Sequence, residues 1–273
     1  MSLIMKIAGA DFSAFGLPTL KQTVFGFPAD GLVGLYLFED GDVDTAHAGV
    51  FLDSSGHKNN ASLFSDFAAP VNRSYGLEVT DAAGLIINTG LPQTSEFTIV
   101  GCYNLTMDTA TEEGYPTLTG DTGNKIPASK AATGSNNPRL ALNVDLTGSK
   151  LSNGVYSSAG VMINGSARAS VPAGYGQSDQ PAILALTVAS DTVGIQTLSG
   201  YKFSAQDADI LSGYAALDEE ILIGLWKHGA TSALSGRLYG FAIYERGLDD
   251  VEISEAMAAM NARVAARGVV VVS

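Results

Sequence analysis

Carboxylates are the groups in this sequence most able to do acid–base chemistry, and their spacing limits what they can do. The 273 residues include 28 aspartates and glutamates against 15 lysines and arginines. A glycosidase needs two carboxyl groups that face a sugar across a cleft. The run Asp218-Glu219-Glu220 lies at the start of a predicted strand. Side chains alternate between the two faces of a strand, and the spacing of these carboxylates does not give such a catalytic pair. We therefore predict that the protein is not an enzyme, with a carboxylate pair assembled from distant strands as the alternative.

Other catalytic motifs are absent from the sequence. It contains no nucleophile elbow, phosphate-binding loop, dinucleotide-binding glycine motif, His-Glu-x-x-His or Cys-x-x-Cys. The three histidines, His47, His57 and His228, are far apart in predicted loops, so a zinc site is not expected. Cys102 stands alone in an apolar run, which excludes an intrachain disulfide and favours a buried structural thiol.

The segment Glu39–Asp44 carries four carboxylates in six residues, and hard cations prefer such clustered oxygens. An EF-hand loop counted from Asp40 fails, because Thr45 replaces the required glycine and Phe51 the final glutamate. A solvated acidic loop is the favoured interpretation, and no cofactor is predicted. The alternative is a calcium ion held by Asp40, Asp42, Asp44 and Asp53.

Aromatic residues near a predicted loop offer a sugar-binding surface instead. Sugars are held by aromatic faces under their C–H surfaces and by short polar groups at their hydroxyls. Trp226, the only tryptophan, opens a predicted loop beside His228, where a rim of a sandwich would place it. Tyr239 shares a predicted strand face with Phe241, and for most of these aromatics core packing is the alternative. The candidate carbohydrate-binding residues are Trp226, His228 and Tyr239.

Charge and composition exclude several classes of partner. The formal charge of −13 opposes binding to nucleic acid or to an anionic membrane surface. A content of 46% hydrophobic residues and 31 glycines suits a globular, β-rich protein with many turns. No apolar stretch is long enough for membrane insertion, and no signal peptide is visible at the N-terminus.

The elements predicted by periodicity are short strands followed by one helix. The helix, predicted over 249–267, has Asp249 and Glu252 at capping-box spacing, followed by an apolar stripe. Asp53-Ser54-Ser55-Gly56 predicts a turn closed by side chains. The predicted strands are Gly31–Glu39, Gly76–Thr80, Gly84–Asn88, Glu96–Leu105, Tyr115–Thr119, Arg139–Leu146, Val155–Ile163, Ala182–Ala189, Val193–Thr197, a run ending at Gly224, and Leu238–Tyr244.

The two ends of the chain differ from this pattern. Residues 1–28 mix apolar residues with glycine and proline, so we predict an N-terminal arm that precedes a single domain over 29–273. The arm is expected to dock on its own domain or on a partner. Val269–Val272 reads as an edge strand, which exposed would favour aggregation, so a homo-oligomer is predicted.

The C-terminal stretch carries a family resemblance. An Ile-Gly strand end, a Gly-x-apolar strand, Tyr-x-Arg-x-Leu and a following glutamate together resemble the laminin-G-like domains of the concanavalin A-like lectin and glucanase superfamily. The resemblance implies an all-β, two-sheet antiparallel jelly-roll sandwich with a C-terminal α-helix. Many members have an aspartate associated with calcium where this chain has Tyr239. The matching residues are Ile223, Gly224, Gly236, Leu238, Tyr244, Arg246, Leu248 and Glu252.

The opening of the chain, GADFSA followed by ADGLVGLYLF, is similar to the start of some bacteriophage tail-associated and prophage proteins. This resemblance implies a carbohydrate-binding protein located in the virion, or in the bacterial cytoplasm before assembly. Its expected partners are a host cell-surface glycan and other phage tail proteins. The alternatives are a structural virion or assembly protein without a sugar site, and a polysaccharide-degrading enzyme.

Overall fold

A computed structural model shows how the chain folds. It describes residues 23–64, 68–79, 84–92, 94, 96–107, 115–121, 140–145, 150–155, 167–170, 181–189, 192–198, 200, 202–206, 220–228 and 234–271. The described strands are β1 (Thr23–Val24), β2 (Phe27–Pro28), β3 (Leu32–Tyr36), β4 (Val50–Phe51), β5 (Ala61–Leu63), β6 (Val71–Arg73), β7 (Gly76–Val79), β8 (Gly84–Pro92), β9 (Phe97–Met107), β10 (Tyr115–Asp121), β11 (Leu140–Asp145), β12 (Lys150–Val155), β13 (Ala167–Ser170), β14 (Ala182–Ala189), β15 (Thr192–Thr197), β16 (Lys202–Gln206), β17 (Glu220–His228) and β18 (Leu234–Tyr244). The helix α1 spans Asp250–Ala265.

The strands form two large antiparallel sheets. One has the order β13-β12-β11-β10-β17-β8-β5-β4, and the other has the order β16-β15-β14-β9-β18-β7-β6, with β3 also paired to β18. Their inner faces share one hydrophobic core, to which alternate residues of β8 and β17 contribute. The predicted all-β sandwich with a C-terminal helix is therefore confirmed.

The helix adds a third layer on the outer face of the sheet that contains β18. Alternation along β9 sends Phe97 and Ile99 into the core between the sheets and Val100 and Cys102 towards the helix. Both faces of this sheet are thus buried. Its central strands accordingly read as continuous apolar runs rather than as alternating patterns.

Helix α1 begins and packs as its sequence predicts. The Asp249 carboxylate accepts hydrogen bonds from the amides of Val251 and Glu252, and the Glu252 side chain accepts one from the Asp249 amide. This reciprocal capping box satisfies amides that the first turn leaves without a helical partner. The members of the predicted stripe are all buried against the sheet: Ile253, Met257, Met260 and Val264.

The strand predicted over Val155–Ile163 lies outside the described residues except for Val155, the last residue of β12. Most of β12 and all of β13 and β16 were not predicted. The sequences of these three strands are short and largely polar, so they lack the apolar alternation that reveals a half-buried strand.

The chain end also departs from prediction. Val269–Val271 do not form an edge strand. Instead the Val269 amide donates to the Val264 carbonyl at 3.1 Å, and the Val269 side chain is buried beside the helix. An edge-to-edge contact between subunits therefore has no support here, and the predicted homo-oligomer stays a prediction.

Residues 1–22 of the predicted arm lie outside the described residues, and the rest of the arm forms a hairpin of β1 and β2. Phe25 and Gly26 form its turn, with φ angles of 51° and 91°. Phe27 is fully buried against helix α1. This last part of the arm thus docks on its own domain. Within the described part of the chain, no helix is long and apolar enough to cross a membrane.

Candidate functional site

Trp226 and His228 lie within strand β17 rather than in a loop. The backbone of Trp226 pairs with Thr117 of β10 on one side and with Gly84 of β8 on the other. His228 is the last residue of the strand and pairs with Tyr115. The prediction that Trp226 opens a loop is therefore wrong, because the strand continues two residues beyond it. The role of both side chains in sugar binding stays a prediction.

Tyr239 is buried beneath helix α1, which corrects its assignment as a sugar-binding residue. Its relative exposure is 2%, and its ring lies in the cluster between sheet and helix. A register shift in β18 between Leu238 and Gly240 puts Tyr239 and Phe241 on opposite faces. Burial raises the pKa of Tyr239 to about 12, although Arg237 acts in the opposite direction. Its ring has no open face on which a sugar could stack.

The four aspartates proposed for calcium are engaged separately. Asp44 pairs with Arg73, and Asp40 faces His47 at 3.4 Å between Oδ2 and Nε2. The exposed Asp42 contributes its carbonyl to a hydrogen bond from Thr45 Oγ1. In the described segments, no three His, Cys, Asp or Glu side chains converge as a metal site would require.

Asp53 instead closes the turn that the sequence predicts there. Its Oδ1 accepts hydrogen bonds from the amides of Leu35 at 2.9 Å and Ser55 at 2.8 Å. Its Oδ2 accepts from Ser55 Oγ at 2.7 Å and from the Asn59 amide at 3.0 Å. Four donors thus fix this carboxylate, and it holds the loop 53–59 against the end of β3.

The loop held by Asp53 borders a cleft of about 550 Å³. We call it the acidic cleft. It lies between the hairpin β1–β2, the start of β3, the end of β18 and the first turns of α1. Its lining combines apolar surface, a hydroxyl, an imidazole and carboxylates: Thr23, Val24, Pro28, Ala29, Asp30, Gly31, Leu32, Val33, Ser55, His57, Glu245, Glu252 and Glu255.

Arg246 fixes the geometry of this cleft. Its Nη2 and Nη1 donate to the two carboxylate oxygens of Glu252 at 2.6 and 2.9 Å, and its Nε lies 3.0 Å from Asp30 Oδ2. Gly31 passes so close that an added Cβ would lie 2.9 Å from Arg246 Cγ. The positive φ of 73° at Gly31 also favours glycine. The arginine of the Tyr-x-Arg-x-Leu motif thus joins the end of β18 to the segment that follows β2 and to helix α1.

Pairing of β3 with β18 brings these distant residues together. The Glu245 amide donates to the Gly31 carbonyl at 2.8 Å, which places Asp30 beside the end of β18. The capping box fixes the start of α1, and the first turns of this helix place Glu252 and Glu255 at the same cleft. Sequence reasoning missed this site because its members come from four separate segments. The one sequence signal was the Arg246 motif with Glu252.

A second cleft, of about 360 Å³, lies at the other end of α1. We call it the arginine cleft, after Arg73, Arg263 and Arg267. The remaining lining residues include both apolar and acidic side chains: Phe38, Glu39, Asp40, Gly41, Val43, Asn72, Ser74 and Ala266.

Each arginine of this cleft is bonded within the protein. Arg73 donates to Asp44 and Glu78, and Arg263 donates to Glu39. The largely buried Arg267 donates to two backbone carbonyls, those of Leu37 at 2.8 Å and Tyr239 at 2.7 Å. Burial lowers the pKa of Arg267, and the nearby Glu39 partly offsets this. Each guanidinium group of the arginine cleft thus donates hydrogen bonds to other groups of the same chain.

Comparison with known proteins identifies the architecture. No family model matches the sequence, and no curated protein matches it. A solved structure of botulinum neurotoxin type C, whose cell entry is dependent upon interaction with two ganglioside molecules, has a TM-score of 0.57 at 12% identity. The match covers 85% of this chain and 52% of that one. The chain thus shares an antiparallel β-sandwich fold with this structure.

Other structural neighbours support the same conclusion. The botulinum neurotoxin type G receptor binding domain has a TM-score of 0.53 at 13% identity, over 84% of this chain and 51% of that chain. Trypanosoma rangeli sialidase in complex with sialic acid has a TM-score of 0.53 at 15% identity, over 85% and 33%. The chain thus spans about a third to a half of the length of these neighbours. At such identities the likeness concerns the fold alone.

Proposed function

We propose that this protein is a non-catalytic, lectin-like domain that binds a glycan in the acidic cleft. The observation that carries the proposal is the cleft itself, a concave space of about 550 Å³ with mixed polar and apolar lining on a lectin-like sandwich. Its volume falls within the range of roughly 300–1,000 Å³ typical of small-molecule sites. A glycan-binding role would agree with the ganglioside interaction named for the neurotoxin neighbour.

The lining suits the chemistry of a sugar. Carboxylates accept hydrogen bonds from sugar hydroxyls, and such charge-assisted bonds are stronger than neutral ones. His57 is exposed at the cleft and adds a further polar group. Val24 and Val33 are partly exposed and contribute apolar surface on which sugar C–H groups can lie. Because the Asp53 turn and Arg246 hold these segments, little ordering is required on binding.

Binding without catalysis is favoured by the engagement of the carboxylates. Both oxygens of Glu252 accept hydrogen bonds from Arg246, and Oε2 also accepts one from the Asp249 amide. Asp30 is an ion-pair partner of the same guanidinium. These two carboxylates therefore act in the framework of the cleft rather than as a general acid and nucleophile pair.

The wider biological role rests on the sequence resemblances. The laminin-G-like motif supports membership of the concanavalin A-like superfamily, and its Arg246 and Glu252 form the contact described above. The opening of the chain supports a phage or prophage tail-associated protein that recognises a host surface glycan. Residues 1–22 would then connect the domain to other tail proteins. Their virion location is part of the same proposal.

A glycan array with matched variants tests the binding proposal. The double variant His57→Ala/Glu245→Ala removes two polar groups from the cleft, and we expect roughly tenfold weaker binding to the best glycan. Asp42→Asn alters an exposed carboxylate of the loop 39–45 outside the cleft and should bind as the parent does. Equal binding by the parent and the double variant would contradict the acidic cleft as the site.

Two further measurements separate the alternatives. If Trp226→Ala abolishes binding while the double variant does not, the glycan lies near β17 instead. Release of reducing ends from any bound polysaccharide would overturn the non-catalytic assignment. Absence of binding to every glycan, together with incorporation into particles through residues 1–28, would favour the structural virion protein.

A further inference from the structure

We infer that the hydroxyl of Thr98, a residue that does not line the acidic cleft, positions the groups that do. This inference rests on the proposed function and adds a residue on which binding depends. Thr98 is a fully buried residue of β9 and pairs with Tyr244 of β18. Like Val100, two residues further on, it lies on the face of the sheet that carries helix α1.

The Thr98 hydroxyl joins the two ends of a turn. Residues 246–248, which we call the β18–α1 turn, follow the last residue of β18 and precede the helix and its N-cap. Thr98 Oγ1 accepts a hydrogen bond from the Leu248 amide at 3.0 Å and donates to the Arg246 carbonyl at 3.1 Å. The Thr187 hydroxyl, at 3.5 Å, is a more distant neighbour. One hydroxyl can serve both backbone groups, because it is a donor and an acceptor at once.

Close packing restricts the path of the β18–α1 turn. A Cβ added at Gly247 would clash with the Cβ of Ala189, at the end of β14, so the backbone lies directly against this strand. The Arg246 guanidinium also donates to the Gly247 carbonyl, with 3.3 Å between Nη1 and the oxygen. The turn is therefore held between strand and side chain, with the Thr98 hydroxyl beneath it.

The β18–α1 turn connects groups that line the acidic cleft. Glu245 lines the cleft and immediately precedes the turn. Arg246, the first residue of the turn, pairs with Glu252 and Asp30, which also line the cleft. A displacement of the turn would therefore move a strand end, an ion pair and the start of the helix together. Binding sites need this kind of support from residues that do not touch the ligand.

Loss of the hydroxyl would release the turn from the sheet. Without it, the Leu248 amide and the Arg246 carbonyl lose a hydrogen-bond partner. A polar group that stays buried without a partner is costly, so we expect the turn to shift until both groups find other partners. The cleft would then have to be ordered when the glycan binds, and affinity would fall.

A second threonine of this chain provides a matched control. Thr89, on β8 in the other sheet, is 2% exposed. Its Oγ1 donates to the Ile221 carbonyl at 2.7 Å and accepts from the Leu91 amide at 3.1 Å. The two threonines thus make the same pair of backbone bonds, but neither Thr89 nor its partners line the acidic cleft. Thr89→Val and Thr98→Val should therefore cost similar stability and differ in their effect on binding.

The test compares the full chain with three variants. The probe is a glycan array read at a series of protein concentrations, which gives an apparent dissociation constant for each glycan that the parent binds. Thr98→Val should weaken binding roughly fivefold. Thr98→Ser keeps the hydroxyl and should bind nearly as the parent does. Thr89→Val should also bind as the parent does, although chemical denaturation should show a loss of stability like that of Thr98→Val.

A measurement on the parent chain covers the case in which Thr98→Val does not fold. Coupling between a ligand and a distant group is reciprocal, so a bound glycan should in turn stabilise the β18–α1 turn. Saturation with the glycan that binds best on the array should slow hydrogen exchange of the Leu248 amide more than that of the Leu91 amide. Equal slowing of the two amides, or none, would contradict the inference.

The possible failures differ from one another. Parent-like binding by Thr98→Val, an equal loss in Thr89→Val, or no recovery in Thr98→Ser would each overturn the role of the Thr98 hydroxyl. The proposed function would still stand if the double variant His57→Ala/Glu245→Ala binds more weakly than the parent. Failure of the parent chain to bind any glycan would defeat the proposed function and the inference together.

Discussion

The two clefts at the ends of helix α1 use charged residues in opposite ways. In the arginine cleft, Arg73, Arg263 and Arg267 each donate to a carboxylate or a carbonyl of the same chain. In the acidic cleft, Arg246 pairs with Asp30 and Glu252, and the carboxylates of Glu245 and Glu255 also line the space. Charged groups that bond within the chain hold a fold together, whereas an exposed carboxylate such as that of Glu245 can accept hydrogen bonds from a ligand.

The comparison also separates stability from recognition. Arg267 donates hydrogen bonds to two backbone carbonyls inside the protein. Its loss would leave both carbonyls without a hydrogen-bond donor. The exposed Asp30 and Glu245 contribute little to stability, because exposed charges are screened by water. Substitutions in the arginine cleft should therefore alter unfolding, and those in the acidic cleft should mainly alter binding.

The largest expected effect follows from Arg267→Met. The thioether cannot replace the bonds to the Leu37 and Tyr239 carbonyls, so we expect the free energy of unfolding to fall by roughly 3 kcal/mol. Chemical denaturation with an unchanged m-value measures it. Arg73→Met is the control at the same cleft, where an ion pair open to solvent should contribute much less. Equal losses in the two variants would contradict the assigned role of Arg267.

A smaller loss is expected from Arg246→Met at the acidic cleft. The variant loses the paired bonds to Glu252 and the contact with Asp30. Because this side chain is partly exposed, we expect a destabilisation of about 1.5 kcal/mol. Chemical denaturation measures this loss. Stability equal to that of the parent would show that the contacts of Arg246 do not hold the strand and helix together.

Removal of the N-cap should cost less again. Asp249→Ala deprives the amides of Val251 and Glu252 of their acceptor, and the expected loss is about 1 kcal/mol. Ser254→Ala is a suitable control, because its hydroxyl donates only to the Asp250 carbonyl one turn earlier. Thermal unfolding of the two variants gives the comparison. A control that loses as much as Asp249→Ala would exclude a specific capping effect.

The smallest effect concerns acid stability at the arginine cleft. Burial alone would raise the pKa of Asp40, but hydrogen bonding, chiefly with His47, outweighs it and lowers the pKa from 3.8. A carboxylate whose pKa is lowered by folding stabilises the fold above its unfolded pKa, and this contribution disappears as the pH falls through the folded value. Asp40→Asn should therefore flatten the stability curve below about pH 4. An unchanged slope would show that Asp40 does not contribute.

Much of the scaffold was predictable because its signals are local. The capping residues of α1, its buried stripe and the Asp53 turn each depend on a few consecutive residues. The acidic cleft depends instead on the β3–β18 register, which no local pattern specifies. Tyr239 was misplaced for the same kind of reason, because a bulge next to it reverses the alternation that would pair it with Phe241. The end of β17 was missed because Lys227 and His228 resemble a loop.

The location of a bound sugar tests the central claim most directly. A crystal structure of the chain with the glycan that binds best on the array should show the sugar in the acidic cleft, with its hydroxyl groups against Glu245 and His57. The Arg246–Glu252 pair should remain intact. A sugar bound in the arginine cleft, or on the outer face of the sheet beside Asn88 and Glu220, would contradict the account.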